Sequence, residues 1–454
     1  MGEKLDLLIK GNLVLPDEVV EASRVGVKAG KIVGLYGSGD APEAAKTVDA
    51  TGKLVFPGMV DAHVHSYSDP DETFEHATPA AAAGGVTTIV EMPYDAIGKI
   101  STTDLFDKKL ERIKKLARVD VAMLATLEKE GCFENIAPLV EKGIVGFKLS
   151  DAEADPVRFP RIEDGVLWET FHALAPHGLP VGFHAENDRI INTLIDRLRK
   201  EEKTYPKAHC ESRPPATETV SALKLLELAY WTGVKLHIYH VSHPRTVRLV
   251  ELYKEQGVDV TLETCPHYLL LNEDDMDRLK AFAKINPPMR EKDAVEEMWE
   301  MVKCGMIDMI TSDHGPWPLN RKQSPNIFDN PSGAPGVETI FPLLFSEGVK
   351  KRQLSPSLLA QLVCEGPARR FLVYPRKGRI ALGADADFAI FDPDISWTIK
   401  TGDMHSSAGW TPFDGMTVEG KIIRTILRGE TVYDGKEVTA EPGYGQFIPR
   451  IDGE

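Results

Sequence analysis

Two histidines one residue apart, His63 and His65, close an apolar run at 55–65. In a β-strand, side chains at i and i+2 share a face, so the two imidazoles would converge on one point. Two imidazoles at the open end of a strand supply half of a metal site, because neutral imidazole nitrogen ligates divalent cations well. A histidine pair alone fits a hydrogen-bonded core equally well, so the rest of the chain must decide. Lys148 in Gly-Phe-Lys, His184 in Gly-Phe-His-Ala-Glu, His240 in Tyr-His-Val-Ser and Asp313 in Thr-Ser-Asp-His each end a short β-branched run. Each has a plainer role open to it: Lys148 as a buried amine paired with a carboxylate, His184 and His240 as core histidines, Asp313 as a helix cap. Six such residues at the ends of five strands point instead to one ring of ligands. His237, His243, His267 and His314 are expected beside that ring rather than in it. His76, His172, His177, His209 and His405 are expected on the surface or on helices.

The elements that must hold these residues alternate. Runs at 85–92, 119–125, 143–149, 180–185, 235–241, 258–264 and 308–314, with the opening run, make eight candidate strands separated by helix-like stretches such as 217–229. Eight βα units predict an α/β protein built on a (β/α)8 TIM-type barrel over 55–370, with its active site at the strands' C-terminal ends. Short alternating strands at 1–54 return in style at 371–454, which predicts a small discontinuous β-sandwich domain made from both termini. Two unrelated terminal sheets are the alternative. The Pro-, Asn- and Gly-rich stretch 315–336 is expected to be a long loop over the barrel's rim.

With 454 residues the chain can bury a large core and a smaller companion. A net charge of −16 speaks against nucleic acid and anionic membranes, whose phosphates it would repel. No apolar run approaches the ~18 residues of a membrane span, so no membrane association is expected. The N-terminal stretch lacks the basic-then-apolar order of a secretory signal, and five scattered cysteines contain no C-x-x-C. Reduced thiols and a cytoplasmic location are the expectation.

Several stretches taken together carry a resemblance. They are Phe56-Pro-Gly-Met-Val-Asp-Ala-His-Val-His, Ala80-Ala-Ala-Ala-Gly-Gly-Val-Thr-Thr, Gly146-Phe-Lys, His184-Ala-Glu, His240-Val-Ser, Asn286-Pro-Pro-Met-Arg, Thr311-Ser-Asp-His and Lys377-Gly-Arg-Ile-Ala-Leu-Gly-Ala-Asp-Ala-Asp-Phe. The set resembles the amidohydrolase superfamily, in its cyclic-amidase branch of allantoinases, dihydroorotases, hydantoinases and dihydropyrimidinases. The resemblance implies two divalent metal ions, with zinc first and manganese, cobalt or iron as alternatives. It implies that His63, His65 and Asp313 hold the more buried ion and His184 and His240 the other. Lys148, carboxylated to N6-carboxylysine, would span both; burial favours the neutral amine that adds carbon dioxide. A metal-bridging hydroxide would attack a cyclic amide, with Asp313 as general base and then general acid. Main-chain groups of Asn286 and Ser332 correspond to contacts that relatives make to the substrate ring. The implied partner is a small cyclic amide or ureide, and relatives are commonly homo-oligomers, tetramers or dimers.

Which ring is opened must come from the pocket. Dihydroorotases carry an arginine just after the second histidine and an asparagine after the Met-Pro of strand two. Here the stretches read His65-Ser-Tyr-Ser-Asp and Met92-Pro-Tyr-Asp, and Asp69 and Asp71 are expected to repel an anionic substrate. Hydantoinases and dihydropyrimidinases place a tyrosine shortly after the bridging lysine; none occurs in 149–160, which leaves the oxyanion donor unidentified. Allantoin, a neutral ureido-substituted ring, suits a pocket without a cationic anchor. The expectation is an allantoinase-like hydrolase, with hydantoinase, dihydropyrimidinase or dihydroorotase activity as alternatives. A metal-free scaffold and a mononuclear deaminase are the readings from other classes; the full ligand set speaks against the first and Lys148 against the second.

Overall fold

The computed structural model describes residues 4–39 and 42–451. Eight short strands follow one another in sequence order: Met59–Val64, Val86–Glu91, Asp120–Met123, Phe147–Ser150, Pro180–His184, Lys235–Ile238, Val260–Thr264 and Met309–Ile310. Parallel pairing joins the first three and, separately, the last five. Two seams close the ring. At one, Ala125 bridges Phe147 and the Lys148 N–H donates to Ala125 O at 2.8 Å. At the other, Val64 bridges His314, and the His65 N–H donates to His314 O at 2.9 Å. Helices follow the strands on the outside, which is why the strands read as near-continuous apolar runs and are buried almost throughout.

The helices start and stop where local chemistry dictates. Thr102 caps Thr103–Leu116 by accepting from the Leu105 N–H, and Asn187 caps Asp188–Lys200 by accepting from the Ile190 N–H. The helix Pro215–Thr232 opens on a proline and closes at Gly233, whose φ of +71° suits a residue without a Cβ.

The two termini meet in one sheet of seven strands. Leu5–Val14, Val19–Lys28, Lys31–Tyr36 and Ala44–Pro57 join Phe388–Thr398, Thr417–Leu427 and Glu430–Tyr433, with Phe56 opposite Ala389 at the junction. The hydrogen bonding is thus continuous across the sequence gap. Residues Val55–Pro57, read from the sequence as the start of the histidine strand, belong to this sheet instead. Gly58 makes the turn into the barrel: a Cβ there would lie 2.2 Å from Thr87 Oγ1 and 2.9 Å from Asp387 Cβ.

A buried charge cluster ties sheet and barrel together. Lys377 Nζ lies 2.6 Å from Asp120 Oδ2, 2.9 Å from Asp385 Oδ2 and 2.7 Å from Asp387 Oδ2. These three carboxylates could cage a metal ion by spacing alone, but the lysine ammonium already stands among them. Among the described residues no helix is long and apolar enough to cross a membrane, and the five cysteines are free thiols.

Candidate metal centre

The strand ends bring the predicted ligands to one rim. His63 Nε2 lies 3.3 Å from His65 Nε2 and 3.1 Å from Asp313 Oδ1, and His65 Nε2 is 3.8 Å from the same oxygen. Beside this trio, His184 Nδ1 and His240 Nε2 face each other at 2.9 Å, and the His240 ring stacks on His63 with centroids 5.4 Å apart. Lys148 Nζ is buried without a hydrogen-bond partner, 3.4 Å from the centroid of the Tyr239 ring, which in turn packs on His63. All six, together with Asn286 and Ser332, line one cavity of about 510 Å³.

Carboxylates behind the imidazoles aim them. Glu263, inside the seventh barrel strand, places Oε1 2.5 Å from His63 Nδ1 and accepts from the His240 N–H at 3.3 Å. Glu186 Oε2 lies 2.9 Å from His184 Nε2 and accepts from Arg213 Nη1 at 2.6 Å. Such partners fix which ring nitrogen is left free to ligate. Asp61 Oδ1 accepts from the main-chain N–H of both His63 and Ser312, at 3.3 and 3.1 Å, so strands one and eight share one anchor. His240 and Asp313 adopt left-handed backbone, φ +43° and +46°. A non-glycine residue held there costs on the order of 1 kcal/mol or more, and such strain concentrates at functional sites.

Burial dominates the electrostatics. It holds His63, His65 and His240 well below the usual histidine range and lowers His184 as well. It brings Lys148 down to about 7 and pushes Asp313 up to about 7. Burial also drives Glu263 well above the carboxylate range, whereas Arg213 and His184 overcome it at Glu186 and hold that group down to about 2. The result is a cluster of neutral nitrogens and a carboxyl whose lone pairs crowd one space. Among the described residues, Lys148 Nζ and His240 Nδ1 lack any protein partner. Buried polar groups normally find one, and this donor set fits divalent cations.

The amidohydrolase family model matches residues 54–432. The chain belongs to the amidohydrolase family. The family is metal-dependent. Over 447 residues this amidohydrolase is 37% identical to the allantoinase of Rubrobacter xylanophilus, covering 98% of this chain and 97% of that protein. It is 35% identical over 456 residues to the L-hydantoinase of Paenarthrobacter aurescens, covering 99% of each. Among solved structures, the L-hydantoinase (dihydropyrimidinase) from Arthrobacter aurescens superposes with a TM-score of 0.95 at 34% identity, covering 98% of this chain and 100% of that one.

Sequence reasoning passed over several residues of this amidohydrolase's site. Glu263 carried a weak signal, an ionisable side chain inside a short strand that is otherwise uncharged, and Glu186 stood in the His-Ala-Glu motif. His209, expected on the surface or on a helix, lies on the helix Ala208–Glu211 and is buried, with Nε2 2.8 Å from Ile285 O, next to Asn286. The expected pocket without cations is corrected too, since Arg158, Arg213 and Arg321 line the cavity. Spacing could not reveal this, because the arginines come from loops whose course the sequence leaves open. The repulsion expected from Asp69 and Asp71 is likewise not built in. Asp69 is buried and paired with Arg321 at 3.2 Å, and neither aspartate lines the cavity.

Asn286 and Ser332 both line the cavity; among the described residues Asn286 Oδ1 is buried without a partner, and Ser332 O accepts from Trp317 Nε1 at 2.7 Å. The loop 315–336 does overhang the rim, contributing Trp317, Arg321 and Ser332 to the wall. His237 and His314 stand beside the ligand cluster: His237 Nε2 lies 3.4 Å from Glu263 Oε2, and His314 Nε2 3.2 Å from Glu72 Oε1.

Proposed function

We propose that this amidohydrolase binds two divalent cations and hydrolyses the ring of a cyclic amide, with allantoin as its substrate. The observation that carries the reading is the gathering of His63, His65, Asp313, His184, His240 and an unpartnered Lys148 at one mouth. His63, His65 and Asp313 would hold one cation, and His184 and His240 the other. Lys148, neutral because it is buried, would add carbon dioxide and reach both as N6-carboxylysine. Zinc is the first candidate, and the same donors accept manganese, cobalt or iron. Bound there, the cations would acidify a water and polarise the scissile carbonyl. Asp313 takes the proton of the attacking water and returns it to the leaving nitrogen, a task suited to a carboxyl pushed by burial to about 7. Main-chain groups of Asn286 and Ser332, which line the same cavity, would contact the ring.

Resemblance to allantoinases and to an L-hydantoinase supports ring opening, and the first of these supports allantoin. Hydantoinase activity is the second reading, favoured by the match to the L-hydantoinase structure. In the same reading, residues 1–54 and 371–454 form one unit, 55–370 form the hydrolase, and the cytoplasmic protein works as a dimer or tetramer. The test is a side-by-side assay of the metal-loaded protein on allantoin, hydantoins, dihydropyrimidines and dihydroorotate. Fastest turnover of allantoin is expected. Turnover of hydantoins alone moves the assignment to the second reading, and turnover of none overturns the activity.

A further inference from the structure

Three arginines line the cavity, and they differ in what occupies them. Arg213 is neutralised by Glu186 at 2.6 Å, and Arg321 by Asp69 at 3.2 Å while it lies over the Trp317 ring. Arg158 has no carboxylate within ion-pair distance among the described residues. Its one side-chain hydrogen bond runs from Nη1 to Ser68 O at 2.9 Å, and its Nε is buried with no partner. Asp155, the nearest acid in sequence, is engaged otherwise: Oδ1 accepts from the main-chain N–H groups of Val157 and Arg158 at 2.9 and 2.8 Å.

The loop that carries Arg158 is braced. Lys99 Nζ donates to Val157 O at 2.7 Å and pairs with Glu128 at 2.6 Å, while the Phe159 ring packs at a tilt on Tyr94 with centroids 3.8 Å apart. The bond to Ser68 links the loop after strand four to the loop after strand one across the mouth. A guanidinium held this way, half-buried and short of acceptors, is organised in advance for an oxygen that arrives with a ligand. It makes no hydrogen bond or ion pair with the six candidate ligands, which leaves its donors available to an oxygen outside the scissile amide.

We propose that Arg158 reads the substituent on the substrate ring, donating to a carbonyl or carboxylate oxygen that the substituent carries. The inference rests on the cyclic-amide reading above and narrows it: rings bearing an oxygen acceptor are selected over bare or alkyl-substituted rings. A ureido carbonyl and a carboxylate present the same chemistry to a guanidinium.

Steady-state kinetics of the metal-loaded wild type, R158M and R158K on allantoin, hydantoin-5-acetic acid and unsubstituted hydantoin separate these sources. R158M is expected to lose about 10- to 100-fold in kcat/KM on a substituted ring, chiefly through KM, with hydantoin unchanged and R158K intermediate. Loss on allantoin identifies the ureido carbonyl, and a larger loss on the acid identifies the carboxylate. Equal loss on unsubstituted hydantoin, or none on either substituted ring, overturns the proposal while leaving the ring-opening activity standing. If the wild type opens no ring, the activity reading fails. Calorimetric titration of allantoin and the acid into wild type and R158M then decides recognition, and unchanged or absent binding overturns it.

Discussion

A lysine amine pressed against an aromatic face with no acceptor loses its proton readily, because desolvation penalises the ammonium. Lys148 is in that position. Lys148→Ala is expected to lose most bound metal and nearly all turnover, with partial return when short carboxylic acids stand in for the missing carbamate; metal content and activity with and without acetate check it. Asp313→Asn keeps the shape of the site but not the proton carrier. It should retain part of the metal and lower kcat by at least 10²-fold, read by steady-state assay beside elemental analysis. Glu263→Gln replaces the carboxyl group that meets His63 Nδ1 at 2.5 Å with an amide that holds the ring less firmly. Metal affinity should fall about 10- to 100-fold, measured by competition with a chelator. The candidate ligands were legible in the sequence as residue types, because each ends a β-branched run. Glu263 was not, because only the pairing of strands across the barrel shows that it backs His63.

At the level of elements, eight short strands aim side chains at one mouth, and the terminal sheet is fastened to them by Lys377 among Asp120, Asp385 and Asp387. Lys377→Met leaves buried Asp387 without its cation, while Arg428 still pairs with Asp120 and Lys31 and Arg376 with Asp385, and should cost about 3–5 kcal/mol, measured by urea unfolding at pH 7. The pH dependence follows from the shifts. Burial opposes ionisation of Asp385, but Lys377 prevails and holds its carboxyl well below the usual range, so its contribution is full at neutral pH and fades on acidification. In the variant the buried Asp387 carboxylate gains from protonation instead. The difference between the two proteins should therefore narrow as pH falls toward about 4. The strand sequence was readable from alternating β-branched and helical runs. The ends of strand one were not: Val55–Pro57 is as apolar as Met59–Val64, and only the turn at Gly58 divides them between two sheets.

For the molecule as a whole, metal binding is expected to be linked to stability, because the candidate ligands come from five strands and gather only in the folded state. Dialysis against a strong chelator should abolish turnover and lower Tm, and zinc or manganese should restore both. Elemental analysis should find about two ions per chain; one would favour a mononuclear deaminase and none a scaffold. The acidic surface implied by a net charge of −16 is consistent with a small-molecule substrate rather than a polyanion.

From the sequence alone came the strand order of the barrel, the pairing of the two termini's strands, and the six candidate ligands that line one cavity. These rest on patterns with a period of two or of about 3.6 residues and on residue types at strand ends, both of which are local. Tertiary structure alone decided what stands behind and above the ligands. Glu263 reaches His63 from another strand, Glu186 turns back on His184, and Arg158, Arg213 and Arg321 enter the cavity from loops. The physical reason is that a loop's path is set by contacts distant in sequence, such as Lys99 on Val157 and Arg158 on Ser68. No local periodicity encodes them.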